Sequence, residues 1–186
     1  MKVKQTAKIY VGIDPAFRKN GFCICCVDTT DNSVSFKTVK NGLLDFFSWV
    51  LNDAPTKEDC IICVENSNLQ DTFFYTHTAL NGGALLTFQQ SKGIKSRPLT
   101  GGEAAKANRS VGKNMAISQI VVDFLAIHGY LVVDLSPKDK GAKYNNNTFQ
   151  AVAKAAKHSV PKKASQDEMD AYKLAGLAKQ LSYLAK

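Results

Sequence analysis

Four acidic residues are the side chains in this sequence best placed to do chemistry. Asp14 closes an apolar run that begins at Ile9, Glu65 closes a second run that begins at Cys60, and Asp167 and Asp170 stand three apart at the start of a helical pattern. A spacing of i and i+3 puts the last two carboxylates on one helix face. If the ends of two neighbouring strands meet that face, the carboxylates form a cluster whose mutual repulsion is relieved by bound cations. With oxygen as the only ligand atom, the cluster suits magnesium, with manganese able to substitute. Two such ions roughly 3.5 to 4 Å apart can clamp the attacking and leaving oxygens of a phosphodiester. Taken singly, each acid has a structural alternative: an Asp-Pro turn at Asp14-Pro15, a solvated strand end at Glu65, and a helix-dipole partner at Asp167 or Glu168.

The elements that must position these acids follow from hydrophobic periodicity. Short apolar runs at 9–13, 22–27 and 34–39, separated by turn residues, predict an antiparallel three-stranded meander. Leu43, Leu44, Phe46, Phe47, Val50 and Leu51 recur at helical spacing, and the continuous apolar run 60–64 has the pattern of a buried parallel strand. Residues from about 66 to 113 read as an irregular excursion, with one helix near 78–89. A helix from about Asn114 to His128, stopped by Gly129, then leads into a strand at 130–135, and two further helices are predicted near 148–157 and 166–184. The expectation is one α/β domain over 1–186, a mixed sheet of three antiparallel and two parallel strands flanked by helices. On the middle helix Ile117, Ile120, Val121 and Phe124 form one apolar stripe. Met115, Val122 and Leu125 form another, so that helix should bury two faces, the second against a partner subunit or the excursion.

The chain of 186 residues carries a formal charge of +8, and 45% of it is apolar. That is enough for a sizeable core, and it makes a polyanion such as nucleic acid the first candidate partner. Between 138 and 163 seven lysines face a single acid, Asp139. Of these, Lys138, Lys140, Lys143, Lys162 and Lys163 are candidates to neutralise backbone phosphates. Arg109 and Lys113, ahead of the predicted middle helix, could add a phosphate site at its N-terminus. Gly112-Lys113-Asn114 is no P-loop, because Ala107 and Asn114 stand where glycine and Ser or Thr are required. No signal peptide or membrane span is expected, and the odd number of cysteines, five, points to reduced thiols in a cytoplasmic setting. A zinc site joining Cys60 and Cys63 to Cys23, Cys25 and Cys26 is not expected, since alternating strand residues point to opposite faces.

In three segments the chain resembles the RuvC-type Holliday junction resolvases, in particular their shorter, phage-like members. These are Val11-Gly12-Ile13-Asp14-Pro15 running to Asn20-Gly21-Phe22, Ile61-Ile62-Cys63-Val64-Glu65, and Ser165-Gln166-Asp167-Glu168-Met169-Asp170-Ala171. The resemblance implies a ribonuclease H-like fold and a homodimer built around the middle helix. It also implies magnesium-dependent nicking of four-way junctions or other branched DNA, in a bacterial or phage-infected cytoplasm. Asp14 would bridge the metals, Glu65 would bind one of them, and Asp167 with Asp170 would complete the set. The family often has an aromatic residue after the second acid, where this chain has Asn66-Ser67-Asn68-Leu69; Phe73, Phe74 and Tyr75 are candidates to stack on exposed bases instead. A nuclease for RNA in hybrid duplexes and a catalytically silent branched-DNA-binding protein are the alternatives.

Overall fold

A computed structural model describes residues 7–15, 22–69 and 101–184. The candidate stacking residues Phe73, Phe74 and Tyr75, and the helix expected near 78–89, lie outside them. In chain order the elements are β1 (Ile9–Asp14), β2 (Phe22–Asp28), β3 (Val34–Val39), α1 (Leu43–Asn52), β4 (Cys60–Glu65), a 3-10 turn (Ser67–Leu69), α2 (Gly101–Ile127), β5 (Leu131–Leu135), α3 (Asn146–Ala155) and α4 (Gln166–Leu184). The five strands form one sheet in the order β3-β2-β1-β4-β5. β1, β2 and β3 pair antiparallel, while β4 runs parallel to both β1 and β5, so the expected mixed α/β sheet is present.

Strand alternation divides the core between two faces. Val11, Ile13, Ile24, Ile62 and Val64 bury on the face covered by α1 and α2, where Phe46, Trp49, Val121 and Leu125 meet them. Tyr10, Cys23, Cys25, Ile61 and Cys63 point the other way, towards Ala171, Leu174, Ala175 and Ala178 of α4. Gly12 lies on this second face. A Cβ there would stand 1.9 Å from the Ala171 carbonyl oxygen and 2.4 Å from the Ala175 nitrogen, so only glycine lets α4 settle this closely on the sheet.

Two expectations about the middle helix need correction. It begins at Gly101 rather than Asn114, and residues 103–108, rich in alanine and other helix formers, carry it through Gly112. Its end is as expected, with Gly129 at φ 81° and the Tyr130 N–H bonding back to the Leu125 carbonyl. The assignment of faces also changes: Leu125 is wholly buried with Val121, whereas Ile120 is exposed. Within α2, Arg109–Ile127 is long and apolar enough to cross a membrane by composition, yet its Val121 and Leu125 bury against the sheet, and 17% of the stretch is buried in all.

Candidate acidic centre

The strand register brings two acids to one edge. Asp14 is the last residue of β1 and shares a face with Tyr10 and Gly12, and Glu65 is the last residue of the parallel neighbour β4, sharing a face with Ile61 and Cys63. Both therefore point to the side covered by α4. That helix opens with a capping box: Ser165 Oγ accepts from the Glu168 N–H at 3.2 Å, and the Glu168 carboxylate accepts from the Ser165 N–H at 2.7 Å. Glu168 thus serves the helix end. Asp170, 1% exposed, turns inward to the sheet, where its Oδ1 accepts from Gln166 Nε2 at 2.9 Å.

At the point where Asp14, Glu65 and Asp170 converge sits the ammonium of Lys140. Its Nζ is 3.4 Å from Asp14 Oδ2, 3.4 Å from Asp170 Oδ2, and in direct contact with Glu65 Oε2. Lys140 is 5% exposed. Burial works against its charge, but Asp14, Glu65 and Asp170 together outweigh that cost and hold its pKa above the ordinary lysine value. Three carboxylates against one ammonium leave the group with an excess of negative charge. Lys143, mostly exposed, reaches Asp170 Oδ2 at 3.6 Å from outside. Glu65 Oε2 is buried, and the Lys140 ammonium is the partner in contact with it.

Of the four acids singled out in the sequence, three meet at Lys140. Asp167 is one turn earlier on the same face of α4. On the same side of the sheet, burial first, and then the charges of Glu168, Asp167 and Asp14, raise the Cys23 thiol to about 12. The structure corrects the expectation for Lys140. Expected to contact DNA phosphate, it is enclosed by carboxylates, and nothing in a run of seven lysines marks it out. The signal that could have found it is position: Ser136-Pro137 ends β5 beside β4, so the following turn, in which the Lys140 N–H bonds to the Ser136 carbonyl at 3.3 Å, falls at the acidic edge.

The other basic candidates divide. Lys138, Lys143, Lys162 and Lys163 are exposed on the segment leading to α4. The segment is tied down by Lys173, which donates to the Ala142 carbonyl at 2.5 Å and lies 4.8 Å over the Tyr144 ring. Arg109 and Lys113 are exposed but sit inside α2, where backbone N–H groups are committed to the helix, so the N-terminal phosphate site expected there does not exist. Lys113 remains near the acidic edge, since Asn68, just past β4, donates to the Met115 carbonyl at 2.7 Å.

Among the described residues no three His, Cys, Asp or Glu side chains stand in metal-coordinating geometry as they are. The centre of the acidic group is filled by the ammonium. The donor set nevertheless fits a hard divalent cation: three carboxylates from three elements, with no sulfur or nitrogen among them, already gathered round one positive charge. Fold and site together define an α/β protein with a buried, oxygen-only acidic centre beside a basic segment. No protein-family model matches the chain, and no curated protein or solved structure matches it significantly.

Proposed function

We propose that this protein is a magnesium-dependent endonuclease of the ribonuclease H-like class that cuts branched DNA, as the RuvC-type resolvases it resembles do. The single observation that carries the reading is the convergence of Asp14, Glu65 and Asp170 on one point within 3.4 Å of a common cation. The sheet order, with acids at the ends of its first and fourth strands and on the last helix, supports the fold assignment. Magnesium or manganese held there would activate water and stabilise the leaving oxygen of a phosphodiester. The chain's own contribution is to hold Asp14, Glu65 and Asp170 fixed on packed strands and a capped helix, with Asp167 completing the set, and to gather phosphate with Lys138, Lys143, Lys162 and Lys163. Lys113 belongs with them, and Arg109, a turn further from the acidic edge, contributes as surface charge. Five free thiols fit a cytoplasmic setting.

The filled centre favours a second reading, a branched-DNA-binding protein without catalysis, because an ammonium already neutralises part of the acid charge. One experiment separates the two. A synthetic four-way junction is incubated with the protein and magnesium: paired nicks that Asp14→Asn reduces at least about a hundredfold support the nuclease. Salt-sensitive binding with no nicking, indifferent to chelator, supports the silent binder. A hybrid RNA–DNA duplex in the same assay identifies a nuclease for RNA strands if it is cut in preference to the junction.

A further inference from the structure

The acidic centre contains a cation supplied by the chain itself. We propose that Lys140 is an internal counter-ion that a divalent metal displaces, so that loading of the Asp14–Glu65–Asp170 centre and seating of the Lys140 ammonium within it exclude one another. This rests on the reading of the centre as a metal site. The exclusion follows from shared atoms. Asp14 Oδ2 and Asp170 Oδ2, each 3.4 Å from the nitrogen, and Glu65 Oε2, in contact with it, are the oxygens aimed at the centre, and a magnesium ion drawing them in to about 2.1 Å would occupy the nitrogen's place. Two positive charges cannot share that point.

The lysine also answers a folding problem. Three carboxylates at 1–15% side-chain exposure repel one another, and with no cation their burial opposes docking of α4 on β1 and β4. Lys140 lets the chain fold without metal. A route out exists: Lys140 is carried on a four-carbon stem in a turn bounded by Gly141 at φ 73°, with exposed Lys138 and Lys143 on either side. On leaving, its ammonium joins that exposed basic turn, so metal loading both vacates the centre and adds a positive charge to the surface where phosphate would lie.

Reductive methylation of the whole protein, read by peptide mass spectrometry with Lys138 as the exposed standard, tests the exchange. In chelator Lys140 should react at least about tenfold more slowly than Lys138, and with saturating manganese it should approach the Lys138 rate. Bound manganese is counted separately by electron paramagnetic resonance. Manganese bound with Lys140 still protected overturns the exchange alone; no manganese bound overturns the exchange together with the metal-site reading. Lys140→Met provides a second measure. It should melt lower than the parent in chelator, gain more from manganese, and bind the ion about tenfold more tightly, because no ammonium competes. A variant that folds only with manganese supports the proposal equally, and equal manganese affinity in variant and parent overturns it.

Discussion

At the scale of single residues, the environment of each thiol or charge overrides its type. The five cysteines lie on or beside the central strands, and burial raises Cys60 and Cys63 to about 12 and Cys26 to about 11, while Cys25 is pushed well above the ordinary thiol range. Because the thiolate is the reactive form, the folded protein at pH 8 should react with a chromogenic disulfide much more slowly than the unfolded chain. All five thiols should titrate promptly in guanidinium; rapid release of even two under native conditions would contradict the packing described. Strand alternation directs Cys23 and Cys25 towards α4 and Cys26 and Cys60 towards α1 and α2. The same alternation could be followed in the sequence to aim Asp14 and Glu65. Lys140 could not be picked out in that way, since its role depends on a turn between elements rather than on periodicity within one.

At the scale of elements, glycine has opposite meanings at two positions. Gly12→Ala should cost about 3 kcal/mol, because the new methyl group meets α4 backbone atoms that cannot yield as a flexible side chain would. An added Cβ at Gly112 would meet nothing within 4 Å inside α2, so Gly112→Ala should stabilise by up to about 1 kcal/mol. Urea denaturation midpoints distinguish these, and a destabilising Gly112→Ala would argue that the helix begins later, as the sequence alone led one to expect. The strands, α1 and α4 were legible because each carries an uninterrupted period and clear stops. The first turns of α2 were not, because Gly101-Gly102 and Gly112 look like breaks, while the alanine-rich residues between them favour helix without an apolar stripe to reveal it. The buried face is also drawn from both candidate stripes: Val121 of the first and Leu125 of the second go in while Ile120 stays out, which packing against the sheet and α1 decides and periodicity alone does not.

For the whole molecule, the unburied part of α2 is the feature with a consequence for assembly. Ile120 and Ile127 lie seven apart on α2, Ile127 at 82% exposure, and Leu44 and Leu51 have the same spacing on α1, all on one side of the sheet. A homodimer of the kind implied by the resemblance would cover such residues. Sedimentation equilibrium should then report a mass near twice 20.3 kDa, and Ile127→Asp should reduce it to that of the monomer without lowering the helix content. A monomeric parent protein would remove the dimer that the resemblance implies and leave the acidic centre untouched.

The carboxylates and ammonium at the centre come from positions 14, 65, 140 and 170, which span most of the chain. During synthesis, the basic segment therefore emerges from the ribosome before the helix that completes the acidic set, and no partial chain possesses the assembled centre. Whatever chemistry it performs is withheld until translation has passed Asp170 and α4 has closed over Gly12.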